Sequence, residues 1–456
     1  MSNGSISNIV RTYSNKEVPF RFHGEGLSFF LSQGLFSSYS IDKGSELLLK
    51  LIAQKGLAVG ASSCLDVGCG VGVLGISLKK KYPDMELLLQ DRDALAVQFS
   101  AVNGHQNALE AGFETAGALA LEGLGDRRFD LIVSNWPAKA GEQVIANFFR
   151  SAPAFLSKTA SPGAMSDEPI AQLAMVIVSP LKEQAVALAN EAGWKILHRE
   201  ETKQYFAFAA EAPSAAAPSS APSSAPSSVP AAAPAVEKAS EPLQHGEASL
   251  SGEDAFGSIL SPYLRSRYRH EEYEIDTVQG LPGFDTLPYQ VKLLQQEAPG
   301  ILKDLIALEG STLIHNPGQG HIPAILLAAA RRHGLFLPSP VKLESRDRLQ
   351  LLISAHNMSA LKRKDLQLSH IPSPLSPSEK PQNAALVVMD IDHIPGSNLA
   401  QECWEWAEER LRRGGRVVFI GASSKLSGLA SGRTGFLPGG SKKYHGYRIL
   451  IFTRAP

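Results

Sequence analysis

Along the first half of the chain, short apolar runs end at glycine turns and lead into segments of helical period. Ser62-Ser63-Cys64-Leu65-Asp66-Val67 predicts a buried strand. Gly68-Cys69-Gly70-Val71-Gly72 follows as a turn, and Val73 to Lys80 reads as a helix. Met85 to Gln90 is a second apolar strand ending at Asp91, and Phe129 to Val133 a third, running into Ser134-Asn135-Trp136-Pro137. Met175 to Ser179 and Tyr205 to Ala209 complete the strand pattern, with a helix from Leu181 to Ala192 closed by Gly193. Strand, glycine turn and helix in alternation predict an α/β fold with a mostly parallel sheet. Ligands in such sheets sit beyond the carboxyl ends of the strands, which places Gly68–Gly72, Asp91 and Asn135 around one cleft.

The second half repeats this pattern at a spacing of about 250 residues. With Leu313 under Leu65, Leu313 to Gly320 falls without gaps beneath Leu65 to Gly72; two glycines persist, Asp66 becomes Ile314 and Gly68 becomes Asn316. With Leu343 under Leu89, the residues Arg346, Asp347, Leu349, Ser354, Ala355 and Asn357 coincide with Arg92, Asp93, Leu95, Ser100, Ala101 and Asn103. Asp91, however, becomes Ser345. Ala385 to Asp392 falls under Asp130 to Pro137, so that Asn135 becomes Asp390. Gly415 to Gly421 and Tyr447 to Thr453 read as late strands of this copy. Apolar strand positions are kept and the polar chemistry is lost, as expected of a degenerate second domain.

Between the copies, residues 212–236 are almost wholly Ala, Pro and Ser, with Ala-Pro-Ser-Ser repeating over 217–228. Too little apolar surface and recurrent proline predict a disordered tether. The expected organisation is a domain over 1–210, a linker over 211–250 and a second domain over 251–456.

Composition narrows the function. The 456 residues hold 44 Lys+Arg against 45 Asp+Glu, a net charge of -1, which excludes a polybasic nucleic-acid coat but permits a local patch. The basic excess lies in the second half, around Arg265, Arg267 and Arg269, around Lys362, Arg363 and Lys364, and around Arg410, Arg412, Arg413 and Arg416. Three cysteines (Cys64, Cys69 and Cys403) imply no disulfide framework and a reducing, cytoplasmic setting. No spacing suits zinc, no run of 18 apolar residues suggests a membrane span, and the start of the chain predicts no signal peptide. There is no Gly-Lys-Ser/Thr phosphate loop, and the dinucleotide G-x-G-x-x-G is not in its usual place. An acid within the glycine loop suits a cofactor bearing cationic groups better than a pyrophosphate.

Leu65-Asp66-Val67-Gly68-Cys69-Gly70-Val71-Gly72-Val73-Leu74-Gly75 resembles the first motif of class I S-adenosylmethionine-dependent methyltransferases. The nearer resemblance, over roughly residues 20–210, is to the methyltransferase small domain of tandem ribosomal RNA guanine-N2 methyltransferases of the small-subunit type. It rests on Gly34-Leu35-Phe36-Ser37 with Ile41-Asp42-Lys43-Gly44-Ser45, on Asp91 with Asn103-Gly104, and on Ser134-Asn135-Trp136-Pro137, which is similar to that family's Ser-Asn-Pro-Pro-Phe.

The resemblance implies two Rossmann-like domains with seven-stranded sheets, the last strand antiparallel. It also implies S-adenosylmethionine held by Asp66, Gly68, Gly70, Gly72, Asp91, Asp42 and Asn135, with no metal. Asn135, Trp136 and Pro137 would form the catalytic motif. The Asn135 side-chain oxygen and a following backbone carbonyl would accept the hydrogens of a base amine, turning its lone pair toward the methyl group. Two departures stand out: Trp136 replaces the first proline, and Ala138 replaces the aromatic that stacks on the base, so Trp136 is the residue that would supply a stacking face. Ala116-Gly117-Ala118 also lacks the Asp or Asn usual near the adenine. The expected partner is ribosomal RNA or a ribosomal subunit, with the second domain positioning it; the oligomeric state stays open. A protein glutamine or small-molecule amine as acceptor, or a non-catalytic RNA-binding role, are the alternatives.

Overall fold

The computed structural model describes residues 7–109, 111–157, 172–213, 255–305, 308–378 and 381–456. The tether expected over 211–250 lies outside the described residues beyond 213. The first half begins with a hairpin of β1 (Lys16–Phe22) and β2 (Glu25–Leu31). Its main sheet holds β3 (Ser63–Val67), β4 (Glu86–Asp91), β5 (Phe113–Gly117), β6 (Leu131–Asn135), β7 (Leu173–Val178), β8 (Lys195–Glu201) and β9 (Tyr205–Glu211). The order is β5-β4-β3-β6-β7-β9-β8, and all pairings are parallel except those of β9.

The second half repeats the plan. Its hairpin is β10 (Leu264–Arg269) and β11 (Glu274–Val278). The sheet of β12 (Ser311–His315), β13 (Val341–Ser345), β14 (Leu366–His370), β15 (Ala384–Asp390), β16 (Leu411–Ala422), β17 (Phe436–Tyr444) and β18 (Tyr447–Arg454) has the equivalent order β14-β13-β12-β15-β16-β18-β17. Two Rossmann-like seven-stranded domains are thus present, as the sequence predicts. The central strands are mainly apolar because helices cover both faces; Leu173–Val178 and Ala384–Asp390 are buried along almost their whole length. The edge strand β8 escapes the sequence reading because its residues, Lys195 to Glu201, are mainly polar and half-exposed.

The gap-free registers of the two copies hold in three dimensions. Asp93 and Asp347 cap equivalent helices, accepting from Leu95 N and Leu349 N at 2.9 and 3.0 Å. Asn103 and Asn357 do the same buried work. Asn103 Nδ2 donates to Val71 O at 2.9 Å and its Oδ1 accepts from Phe30 N at 2.8 Å, tying β2 to the glycine turn. Asn357 Nδ2 donates to Gln319 O at 2.8 Å and its Oδ1 accepts from Asp276 N at 2.9 Å.

Those same capping loops join the domains. Asp93 and Asp347 face each other in an antiparallel bridge. Ala94 N donates to Arg346 O at 2.8 Å and Arg348 N to Arg92 O at 3.0 Å, a reciprocal pair expected where like surfaces meet across a local two-fold. Arg92 pairs with Asp347 at 3.0 Å, and Arg348 Nε with Glu122 Oε2 at 2.7 Å. His370 Nε2 sits 2.9 Å from Arg92 O and 2.8 Å from Arg346 O. Burial lowers its pKa to about 4, so the ring is neutral at pH 7. A Cβ at Gly117 would lie 2.4 Å from His370 Nδ1, so the small residues at 116–118 make room for the second domain. Leu349, Leu352 and Ile353 share one apolar core with Leu65, Ile132 and Phe148, so apolar burial as well as ion pairing holds the two halves together.

Candidate functional site

The glycine loop forms the floor of the cleft. Gly68 and Gly70 have φ of +73° and +56°, a region that favours glycine, and a Cβ at either would meet nothing within 4 Å. The backbone there is open to a ligand. Gly72, φ +91°, is different: a Cβ would lie 2.5 Å from Ile76 Cδ1, so its role is packing at the start of the helix Val73–Lys81. Asp91, at the end of β4, accepts from Gly70 N and Asp93 N, both at 2.9 Å, which braces the loop. Burial raises its pKa, with the Asp93 and Gly70 N–H groups opposing.

Asp66 is 1% exposed. Its Oδ2 accepts from Gly75 N at 2.9 Å, while its Oδ1 is buried without a partner. An orphaned buried carboxylate oxygen is costly unless a donor or a cation arrives. Burial pushes this carboxyl up to about 7, the Gly75 N–H offsetting it and Asp91 adding to it. An open glycine cradle beside an unsatisfied acid fits a cationic cofactor of the S-adenosylmethionine type. Among the described residues no group of three or more His, Cys, Asp or Glu side chains is placed to hold a metal ion.

Asn135 ends β6 in a fixed orientation. Ser134 Oγ donates to Val67 O at 2.8 Å and locks β6 to β3 beside the glycine loop. Asn135 Nδ2 donates to Asp42 Oδ2 at 2.7 Å and to Ser45 Oγ at 3.0 Å. An ionised carboxylate only accepts, so the amide nitrogen must face Asp42 and the amide oxygen must face away from it. Asp42 also accepts from Tyr205 Oη at 2.9 Å and from Ser45 N at 3.0 Å, capping the helix Lys43–Lys55. Gly44 leaves room for this cluster, since a Cβ would lie 2.7 Å from Asp42 Oδ2.

The sequence predicts Asp42 as a cofactor residue; in the structure its carboxylate accepts from Asn135, Tyr205 and the helix cap. Ser45 and Tyr205 were missed. Tyr205 opens β9, whose antiparallel direction brings its first residue to the carboxyl end of the parallel strands, and that direction was the available signal.

Trp136 requires a correction. It is 6% exposed, packs 4.8 Å from the Phe148 ring, and belongs to the core between sheet and helices. It presents no stacking face. Its backbone N donates to Val176 O at 2.9 Å, while Pro137 and Ala138 are exposed beyond it. Exposed aromatic surface lies instead on the segment before Asp42, at Phe36 (66% exposed) and Tyr39 (62%).

The second copy keeps one open glycine, Gly318, where a Cβ would meet nothing within 4 Å, but the rest of the cradle is altered. Asn316 replaces Gly68, its Nδ2 donating to Asp390 O at 3.0 Å and its Oδ1 accepting from Ser345 Oγ at 3.2 Å. Tyr13 from the first domain and Arg346 close over it. The cavity left between Tyr13, His315, Asn316, Arg346, Asp392 and Glu402 is about 20 Å³, room for one water. The two ends of the basic cluster over 410–416 are ion-paired within the domain. Arg410 is 2% exposed, with Nε 3.2 Å from Glu344 Oε1 and a bond to Ser376 O at 2.8 Å. Arg416 pairs with Asp304, and Arg412 donates to Glu309 O. Arg267 and Arg269 are likewise engaged by Glu274 and Asp276, and Arg363 by Asp365.

No helix among the described residues is long and apolar enough to cross a membrane. The family model of the methyltransferase small domain matches residues 26–166. Two relatives are both called ribosomal RNA small subunit methyltransferase C. The one from Actinobacillus pleuropneumoniae is 36% identical over 132 residues, 29% of this chain and 39% of its own. The one from Haemophilus influenzae is 31% identical over 137 residues, 30% of this chain and 37% of its own. The chain thus spans well under half the length of the curated relatives it matches. Among solved structures, the T. thermophilus 16S rRNA N2 G1207 methyltransferase, in complex with AdoMet and guanosine, covers 98% of this chain and 100% of its own. Its TM-score is 0.59 at 16% identity, a likeness of fold. Residues 26–166 thus match the methyltransferase small domain in sequence, within a chain whose fold is like that of the T. thermophilus protein.

Proposed function

We propose that this protein is an S-adenosylmethionine-dependent methyltransferase acting on an exocyclic base amine of ribosomal RNA, guanine N2, with the first domain catalytic. The observation that carries the reading is the clamp on Asn135. Its amide nitrogen is taken up by Asp42 and Ser45, which leaves the amide oxygen as an acceptor beside the glycine loop. S-adenosylmethionine supplies an electrophilic methyl group on a sulfonium centre.

The chain's own residues bind and orient. Gly68 and Gly70 give the backbone a close approach to the cofactor, and the free Asp66 Oδ1 suits the cationic methionine end. Asp91 keeps lone pairs for ribose hydroxyls while its N–H bonds hold the loop shut. Asn135 Oδ1 accepts a hydrogen of the base amine. That holds the nitrogen lone pair out of conjugation and makes a poor nucleophile a directed one. A paired guanine would have to leave its helix to reach this oxygen. The name shared by the curated relatives supports the ribosomal RNA substrate.

Label transfer from radioactive S-adenosylmethionine to small subunits, large subunits, naked ribosomal RNA and total protein tests the reading. Label confined to RNA is expected. Label in protein alone would overturn it in favour of a glutamine or amine acceptor.

A further inference from the structure

We infer that the turn between β17 and β18, with the first turn of the helix Tyr289–Lys303, is a platform on which the second domain stacks unpaired RNA bases. The inference rests on the RNA reading above and assigns it a contact site. The two strands pair up to Tyr444 and Tyr447, leaving a two-residue turn of His445 and Gly446 with φ of +46° and +81°. Two successive positive φ values make a tight hairpin turn whose twist matches its strands. Ser423 N donates to Gly446 O at 2.8 Å and pins the tip to the domain.

On this rigid tip sits an exposed aromatic cluster. Tyr444 is 43% exposed and Tyr289 40%. His445 stacks on Tyr289 with ring centres 4.9 Å apart and planes 22° from parallel. Tyr444 meets the Tyr289 edge at 5.7 Å, and Tyr447 lies 5.8 Å away on the inner side. Lys292 approaches the Tyr289 ring at 5.0 Å. Tyr289 is thus engaged on its neighbours, while Tyr444, held edge to face against His445 with ring centres 4.3 Å apart, keeps 43% of its surface exposed to receive a base.

Charge points to the same ligand. Residues 411–456 contain nine Lys and Arg and no Asp or Glu. Arg416, Arg433 and Lys442 are paired with Asp304, Glu408 and Glu297. Lys443 and Arg448 form no ion pair with a carboxylate among the described residues, and they face each other across the hairpin next to the aromatic tip. Exposed rings interleaved with unneutralised cations match the alternation of bases and phosphates in an unpaired strand. The corresponding hairpin of the first domain, β8–β9, has no such character. Its Lys195, Arg199 and Lys203 are balanced by Glu200, Glu201 and Glu211, and its Tyr205 is turned to Asp42. The platform is therefore a property of the copy that lost its cofactor acids, not of the shared scaffold. Preorganisation of the tip lowers the entropic cost of stacking.

The test uses the full chain and a fluorescein-labelled single-stranded 15-mer RNA of mixed sequence, with its blunt duplex as comparison, read by anisotropy. Tyr444→Ala should weaken single-strand binding about 5- to 100-fold, leave the duplex within about twofold, and be rescued by Tyr444→Phe. Lys443→Ala with Arg448→Ala should weaken both probes and flatten the salt dependence by about one unit of slope or more. Cofactor affinity and melting temperature serve as controls for folding. No probe binding by the wild type, or unchanged single-strand binding by Tyr444→Ala, would overturn the platform. Methyl transfer to ribosomal RNA is measured alongside. If RNA is methylated and Tyr444→Ala alters neither probe binding nor KM, the platform alone fails. If probe binding falls in the variant but wild type methylates no RNA, the platform stands and the substrate reading fails.

Discussion

Replacing Asp42 by alanine separates two roles that a carboxylate at this position could have. Asp42 accepts from Asn135 Nδ2 at 2.7 Å, from Tyr205 Oη at 2.9 Å and from Ser45 N at 3.0 Å. In Asp42→Ala the Asn135 amide keeps only Ser45 Oγ, at 3.0 Å, and a hydroxyl serves either end of an amide. The orientation that turns Oδ1 to the substrate then loses a charge-assisted hydrogen bond worth about 1.5–3 kcal/mol. Converted at 1.4 kcal/mol per tenfold, kcat should fall about 10- to 150-fold. Loss of the helix cap should cost about 1 kcal/mol of stability besides.

The glycine cradle, Asp66 and Asp91 are untouched, so cofactor affinity should stay within about threefold of wild type. Tyr205→Phe removes one donor and leaves the Asn135 contact, and should lower kcat less than about fivefold. Gly44→Ala, whose Cβ would press on Asp42 Oδ2 at 2.7 Å, should resemble Asp42→Ala. The assay pairs single-turnover methyl transfer at saturating cofactor with calorimetric measurement of cofactor Kd. A Kd weakened more than tenfold with kcat unchanged would refute the reasoning and return Asp42 to the cofactor.

Calorimetry should find one cofactor per chain, because Asn316 and Ser345 stand where the first copy has Gly68 and Asp91 and the cavity beside them is only about 20 Å³; Asp91→Ala should abolish all binding, and two sites in the wild type would contradict the loss of the second site. Cofactor affinity should fall about tenfold per unit as pH drops below about 7, since Asp66 is then protonated and a cationic ligand must displace that proton; above 7 this group contributes no slope, and Asp66→Asn should flatten the profile. Arg410→Ala should destabilise the protein by about 3–5 kcal/mol in denaturant titrations, because it strands Glu344 in the core. Burial raises the Glu344 pKa, but Arg410, His315 and Trp406 outweigh it and hold it at about 2, so the stability it contributes is present above pH 4.5 and is lost as pH falls toward 2. The salt slope of RNA binding should not change in Arg416→Ala, whose side chain is paired with Asp304.

The alternation of apolar strands, glycine turns and helices by itself determined the fold class, the duplication and the register of the two copies. Those features are local: period, turn chemistry and capping residues act over a few positions, and Asp93 and Asp347 cap their helices wherever the rest of the chain lies. The glycine turn was legible for the same reason, since strand, glycines and helix follow one another directly. The edge strand β8 was not legible, because a half-exposed strand needs no apolar pattern. Nor was the direction of the Trp136 side chain, which packing against Phe148 turns inward although its neighbours Pro137 and Ala138 lie at the surface.

Only the tertiary structure decided which polar groups meet. Asp42, Asn135 and Tyr205 are 93 and 163 residues apart in the pairs they form, so no local rule could join them. It also decided which charges are spent: Arg410 reads as surface in sequence and lies buried on Glu344, while Lys443 and Arg448 beside Tyr444 remain without a carboxylate partner among the described residues. A side chain's chemistry is set by residue type, but its availability depends on partners brought from distant segments, and those exist only once the sheets have formed and the two domains have met at Asp93 and Asp347.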